Sequence, residues 1–251
     1  MRILLANDDG IFAPGLRVLE RAARTISHDV WIVAPESEQS AASHSLTLHQ
    51  PLRLRRLSAR RYAVNGTPTD CVYLAINRLM AEFRPDLVLS GVNRGSNIGE
   101  DVTYSGTIAA AMEATLLGVP AIAFSQVFED GRPIKWKTAE AWVPRVVAKL
   151  AKQGWPKHVL INANIPDLEP EAVKGIRVAS QSLEEVGDLC VERVDPRGRP
   201  YFWVGMARAE ALPGRPGTDL RAVNQGYVSV TPLHLDLTHH ATLRKLKRAL
   251  S

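Results

Sequence analysis

The residues best suited to chemistry are the adjacent acidic residues Asp8 and Asp9, which follow Asn7 at the end of an apolar stretch at residues 3–6. An unbroken apolar run of this length is typical of a strand buried on both faces of a parallel sheet. Two neighbouring carboxylates repel each other at the end of such a strand, and a bound divalent cation would offset that repulsion. The stretch therefore indicates a cation site. A solvated turn with Gly10 at its tip is the alternative that this stretch alone leaves open.

A second candidate region is the glycine-rich segment 91–99, which follows a predicted buried strand at residues 86–90. Its three glycines allow the backbone to approach a ligand closely, and Asn93 and Asn97 bring amide groups into the same space. The spacing matches neither the GxGxxG dinucleotide fingerprint nor the GxxxxGK[ST] Walker loop. The segment therefore predicts a ligand-binding loop of another kind.

This loop leads to Ser105, Gly106 and Thr107, where the sequence predicts the start of a helix. Free backbone N–H groups and the helix dipole at such a position favour phosphate. A capped helix with an approach loop is the structural alternative.

The elements that must position these residues alternate between strands and helices. Strands are predicted at residues 30–34, 86–90, 120–124 and 158–162, and helices at 14–26, 69–80, 105–118 and 138–152. Pro144 inside the last of these predicts a kink or a late helix start. The alternation predicts an α/β fold with a doubly wound, mostly parallel sheet, a Rossmann-like three-layer sandwich that forms a catalytic core over residues 1–170.

Beyond residue 170 the alternation ends, and residues 171–251 are predicted to form a C-terminal extension. It would contain a protruding hairpin with a strand at 201–204, a returning strand at 227–230 and a terminal helix. That helix carries a narrow leucine stripe, which is typical of a helix that docks on another subunit. The extension is therefore predicted to mediate oligomerisation.

Composition narrows the function classes further. The chain has 251 residues, 45% hydrophobic and 23% charged, as in ordinary globular proteins. Its two cysteines form no CxxC motif, which argues against a disulfide framework or a zinc site and favours the cytoplasm. No signal peptide or membrane span is expected. A net charge of +5 favours anionic ligands, but the basic residues are scattered and predict no specific nucleic-acid binding.

Four residues from separate segments are expected to meet past the ends of the predicted strands. They are Asp8, Asp9, Asn93 and Ser40, the last of which lies in a hydroxyl-rich loop. This oxygen-only set suits Mg²⁺, Mn²⁺ or Ca²⁺ and not zinc. A single such ion beside a phosphate-binding helix start predicts metal-assisted phosphoryl transfer to water.

Several motifs, in order over nearly the whole chain, resemble those of the SurE survival-protein nucleotidases. They are Asn7-Asp8-Asp9-Gly10 with Ala13-Pro14-Gly15, Ser40 before Ser45-Leu46-Thr47, Asn65-Gly66-Thr67-Pro68, Ser90 to Asn93 through Tyr104-Ser105-Gly106-Thr107, and residues 227–232. The one small departure is Ala41, where that family often has glycine.

This resemblance implies a metal-dependent phosphomonoesterase acting on nucleoside 5′-monophosphates, and also on 3′-monophosphates and short polyphosphate. Asp8, Asp9, Ser40 and Asn93 would hold one Mg²⁺ or Mn²⁺, with Ca²⁺ able to occupy the site. Asn97 with Ser105, Gly106 and Thr107 would surround the phosphate. The resemblance also implies a homodimer or homotetramer assembled by exchange of C-terminal elements.

The expected mechanism is attack on phosphorus by a metal-activated water, with Asp8 and Asp9 as the catalytic pair and Asp8 helping to deprotonate the water. Covalent attack by Asp8 stays open. Two rival functions also stay open: a sugar-nucleotide transferase, in which the acidic pair chelates a metal-bound diphosphate, and a nucleotide-sensing module that binds without hydrolysis. His44 is interpreted as a surface residue, and Glu113 as an exposed or inter-helix polar group.

Overall fold

A nine-stranded sheet with helices packed on both faces forms the body of the protein. The computed structural model describes residues 1–183, 188–206 and 213–250. The main sheet contains β1 Arg2–Ala6, β2 Asp29–Pro35, β3 Leu54–Ser58, β4 Arg61–Val64, β5 Leu87–Arg94, β6 Ala121–Gln126, β7 Val159–Ile165, β8 Ile176–Val178 and β11 Val228–His234. A separate two-stranded sheet contains β9 Asp188–Val194 and β10 Pro200–Met206. The helices are α1 Pro14–Arg24, α2 Pro68–Leu74, α3 Asp101–Tyr104, α4 Gly106–Leu116, α5 Trp136–Gln153, α6 Asp219–Asn224 and α7 His240–Leu250.

The strand order is β3-β4-β2-β1-β5-β6-β7-β11-β8, with β1 and β5 side by side in the middle of the sheet. Strand β1 pairs in parallel with both β2 and β5, and β6 and β7 continue the parallel set. Among the described strands of this sheet, only two pairings are antiparallel, that of β3 with β4 and that of β11 with β7. This confirms the predicted α/β class and the mostly parallel sheet.

Alternation along β1 divides the interior into two cores. Ile3 and Leu5 belong to the core that α1 and α5 cover, whereas Leu4 and Ala6 belong to the core on the α2 and α4 side. All four side chains are fully buried, because successive residues of a central strand point to opposite, covered faces. The apolar run at the start of the chain therefore fixes β1 in the middle of the three layers.

Two helices differ in detail from their predictions. The helix predicted at 69–80 begins at Pro68, where Thr67 and Asp70 form a reciprocal capping box, and it changes at Ala75–Leu79 into a π-helical turn. Helix α5 begins at Trp136 and continues through Pro144, so the late start offered as one alternative is wrong. A proline in mid-helix removes one backbone hydrogen bond, and the buried face of α5 compensates by packing on the sheet.

The C-terminal third contributes to the main sheet as well as beyond it. Strands β8 and β11 extend the sheet, while β9 and β10 form the antiparallel hairpin predicted around residues 201–204. Helix α7 buries none of its residues, and Leu243 and Leu246 on its stripe are 37% and 49% exposed. The division near residue 170 and the oligomeric role of the extension stay predictions. Within the described ranges, none of the helices has the length and apolarity needed to cross a membrane.

Candidate active site

One cavity of about 430 Å³ gathers six of the eight predicted site residues. Its lining includes Asp8, Asp9, Ser40, Asn93, Asn97 and Ser105. Gly106 and Thr107 do not line it and lie behind Asp8 instead.

Sheet topology explains this convergence. Strands β1 and β5 are adjacent and parallel, with Ala6 beside Ser90, so the residues that follow each strand emerge at the same edge. The loop after β2 joins them because the Gln39 N–H donates a 2.9 Å hydrogen bond to the Asp8 carbonyl oxygen. Residues far apart in sequence therefore meet at the carboxyl ends of the central strands.

Asp8 is held by the first turn of α4. Its side chain is only 6% exposed, and the Thr107 hydroxyl donates a hydrogen bond to Oδ1. A Cβ atom on Gly106 would lie 2.7 Å from the Asp8 Cβ, so glycine is needed for this close approach. Burial raises the pKa of the Asp8 carboxyl above its ordinary value, although the hydrogen bonds from Thr107 oppose that rise. Gly106 and Thr107 thus position Asp8.

Asp9 is the second member of the acidic pair. Burial, and next the nearby Asp8, raise the pKa of Asp9 to about 7. A backbone hydrogen bond from Arg94 and the positive charge of that residue act in the opposite direction. The protein therefore keeps two carboxyl groups in an environment where ionising both is unfavourable, as expected of a site that a cation would stabilise.

The other two predicted ligands present oxygen atoms beside this pair. The Asn93 Nδ2 donates to the Gly95 carbonyl at 3.1 Å, which leaves the amide oxygen as the group available to a cation. The Ser40 hydroxyl donates to Glu38 Oε1 at 2.7 Å, so its lone pairs stay available. Within the described ranges no three His, Cys, Asp or Glu side chains cluster around a metal position. Two carboxylates with hydroxyl and amide oxygens fit Mg²⁺ or Mn²⁺ better than zinc.

Asn97 is fixed by a buried polar network on β6 and β7. Its N–H donates to Asn164 Oδ1 at 2.8 Å, and its carbonyl accepts from Asn162 Nδ2 at 2.7 Å and from Asn164 Nδ2 at 3.1 Å. Its own Nδ2 donates to the Ser125 hydroxyl at 2.7 Å. Asn162, Asn164 and Ser125 are fully buried. Because such buried groups are costly unless paired, this network fixes the glycine-rich loop firmly.

The serine loop is anchored by contacts that sequence reasoning missed. His44 Nε2 lies 2.9 Å from Glu113 Oε2, and Glu113 is buried on α4. The Ser43 hydroxyl donates to the Thr103 carbonyl at 2.9 Å. His44 is exposed, as its interpretation as a surface residue expects, but its pairing with Glu113 was not predicted. Ala41, where the resembled family often has glycine, has a φ of +59°, in the left-handed region that favours glycine.

Other cavity residues were missed, chiefly Glu38, Arg94 and Phe128. Arg94 directly follows Asn93 at the end of β5, and Phe128 follows the neighbouring strand β6. The rule that ligands bind beyond the carboxyl ends of parallel strands could have found both.

Comparisons with known proteins agree with this architecture. Residues 3–188 match the family model described as survival protein SurE. The "5′-nucleotidase SurE" of Paramagnetospirillum magneticum is 57% identical, over 99% of this chain and 95% of that protein. The protein of the same name from Parvibaculum lavamentivorans is 53% identical, over 100% of this chain and 91% of its own.

A solved structure gives the same result. The crystal structure of the SurE protein from Aquifex aeolicus has a TM-score of 0.86 and 39% sequence identity, covering 100% of both chains. The resemblance carried by the motifs is thereby confirmed, and the chain belongs to the SurE family of survival proteins.

Proposed function

We propose that this chain is a divalent-metal-dependent phosphomonoesterase that hydrolyses nucleoside 5′-monophosphates to nucleoside and phosphate. The observation that carries the proposal is the buried acidic pair Asp8 and Asp9, which shares one cavity with the oxygen donors Ser40 and Asn93. Full-length relatives named 5′-nucleotidase support the choice of substrate. We extend the proposal to 3′-monophosphates and short polyphosphate, which the resemblance implies.

Asp8, Asp9, Ser40 and Asn93 would hold one Mg²⁺ or Mn²⁺, and Ca²⁺ could occupy the same oxygen ligands. When bound, the cation supplies Lewis-acid chemistry: it lowers the pKa of water and offsets charge on phosphate oxygens. The remaining chemistry belongs to the side chains.

Asp8 is the group that accepts the proton of the attacking water. The Thr107 hydroxyl holds Oδ1, so the carboxylate has a fixed orientation, and Oδ2 is the oxygen that takes the proton. Asp9, with a pKa raised to about 7, sits beside it and completes the acidic pair. The clamped Asn97 keeps the opposite wall of the cavity in place for the substrate.

We further propose that the protein works in the cytoplasm as a homodimer or homotetramer joined through C-terminal elements. The exposed leucines of α7 and the exposed aromatic residues of the β9–β10 hairpin support an intersubunit role. The absence of a cysteine motif in the sequence supports a reducing compartment.

The decisive experiment measures phosphate release from a panel of nucleoside monophosphates with Mg²⁺ or Mn²⁺, with and without chelator. We expect turnover that needs metal and water only, and a loss of at least about 100-fold in kcat for Asp8→Asn with the fold retained. Turnover that requires an acceptor would identify a transferase, and nucleotide binding without turnover would identify a sensing module. Near-normal activity of Asp8→Asn would refute the assigned role.

A further inference from the structure

A single basic residue, Arg94, lines a cavity whose other charged residues are all acidic. The acidic residues of the lining are Asp8, Asp9, Glu38, Asp101 and Asp130. Among the described residues that line the cavity, Arg94 is the only Lys, Arg or His. Asp8, Asp9 and Glu38 alone carry up to three negative charges, more than one divalent cation neutralises, and a phosphomonoester dianion would still be repelled. The substrate therefore needs a second source of positive charge, which this cavity offers at Arg94.

Arg94 is held so that its guanidinium group can meet a ligand. It is the last residue of β5, paired with Gln126 of β6, and the next N–H, from Gly95, donates to the Gln126 carbonyl at 3.0 Å. Its Cζ lies 5.4 Å from the centre of the Phe128 ring, a cation–π contact that orients the side chain. Across the described part of the chain, its guanidinium donates to no carboxylate within salt-bridge distance. The guanidinium N–H groups of Arg94 are therefore available to a ligand, while its backbone hydrogen-bonds Asp9.

Two of the side-chain donors predicted to hold the phosphate already donate within the protein. The Thr107 hydroxyl donates to Asp8, and Asn97 Nδ2 donates to the Ser125 hydroxyl at 2.7 Å, whereas the Ser105 hydroxyl accepts from the Ile108 N–H and keeps its own proton. Gly106 and Thr107 are absent from the cavity lining. The start of α4 thus uses the Thr107 hydroxyl to position Asp8, and a phosphate with several oxygens needs further donors beside Ser105.

We infer that Arg94 binds the phosphate group of the substrate through its planar guanidinium fork and thereby sets the preference for phosphomonoesters. This inference rests on the proposed phosphomonoesterase function. A guanidinium can donate two parallel hydrogen bonds to phosphate oxygens, a geometry that an ammonium group does not reproduce. Stacking on Phe128 presents that fork to the cavity and limits the rotamer freedom lost on binding.

The test compares Arg94→Gln and Arg94→Lys with the control Arg132→Gln, which removes one positive charge at an exposed residue outside the cavity. Three probes are used with Mn²⁺ present: adenosine 5′-monophosphate, p-nitrophenyl phosphate, and inorganic phosphate as inhibitor. We expect Arg94→Gln to raise both KM values and the phosphate inhibition constant by about 10- to 100-fold, with a smaller change in kcat. The KM values and the inhibition constant of Arg94→Lys should lie between those of the wild type and those of Arg94→Gln. Those of Arg132→Gln should match the wild type.

Several outcomes overturn the inference. Unchanged KM values in Arg94→Gln would overturn it. A KM that rises for adenosine 5′-monophosphate but not for p-nitrophenyl phosphate would also overturn it, because Arg94 would then contact the nucleoside and not the phosphate. A fall in the unfolding midpoint or in Mn²⁺ affinity that accounts for the whole effect would show a structural role. If the wild type releases no phosphate from any monoester, the proposed function fails, and calorimetric titration with inorganic phosphate then tests Arg94 independently.

Discussion

Asp9→Asn should stabilise the metal-free protein at alkaline pH while removing metal binding. In the folded state the pKa of Asp9 is raised from 3.8 to about 7, first by burial and then by Asp8. The protonated form is therefore favoured in the folded state. The energetic cost is absent below about pH 4, grows as pH rises from 4 to 7, and is complete above about pH 7. Asparagine carries no charge, so Asp9→Asn avoids the cost of ionising a buried carboxyl group.

The magnitude follows from the size of the shift. About three pKa units at about 1.4 kcal/mol each give an upper limit of roughly 4 kcal/mol at pH 8, and local relaxation reduces it. We expect a gain of about 1–4 kcal/mol in the free energy of unfolding at pH 8, and a smaller gain at pH 5, where only part of the cost has developed. The gain should disappear near pH 4.

The assay is urea unfolding of wild type and Asp9→Asn in chelator at pH 5 and pH 8, repeated with Mn²⁺. Mn²⁺ should stabilise the wild type more at pH 8 than at pH 5, because protons compete for the same carboxylates, and should leave Asp9→Asn nearly unchanged. The control is Asp236→Asn, an exposed carboxyl whose pKa is lowered chiefly by its hydrogen bonds with Thr238, so no gain is expected at pH 8. A variant that is no more stable at pH 8, or whose gain is independent of pH, would refute the reasoning.

Three further substitutions test the positioning of the site and the assembly. Thr107→Val removes the hydroxyl that orients Asp8, so steady-state kinetics should show a kcat about tenfold lower. Thr107→Ser keeps the hydroxyl and should keep the activity. An unchanged kcat in Thr107→Val would contradict the orienting role of Thr107. Asn164→Ala leaves the Asn97 N–H without its buried acceptor and should cost about 1–3 kcal/mol in urea unfolding and raise KM. Leu246→Glu places a charge on the leucine stripe of α7 and should shift the mass measured by light scattering towards the monomer. An unchanged mass would show that the stripe is not an interface.

Local pattern was enough to predict the frame of the protein. The apolar run before Asp8 predicts a strand inside the sheet, because only a strand covered on both faces buries successive residues. Residues 3–6 of β1 are fully buried in that way. The alternation of strands and helices predicts the parallel sheet, since parallel neighbours need crossover connections. The edge where Asp8, Asp9 and Asn93 meet then follows, because parallel strands end on one side.

The tertiary structure decided what each side chain of the site does. The Thr107 hydroxyl donates to Asp8, a contact that the sequence did not predict, and its role at the phosphate stays a prediction. Asn97 is held by Asn164, which lies 67 residues away in sequence. The His44–Glu113 pair and the stacking of Arg94 on Phe128 likewise join residues from different segments of the chain. Sequence periodicity determined which residues reach the functional edge of the sheet, because burial depends on the local pattern. The partner of each side chain depends on strand register and helix packing between distant segments, and only the folded chain sets those.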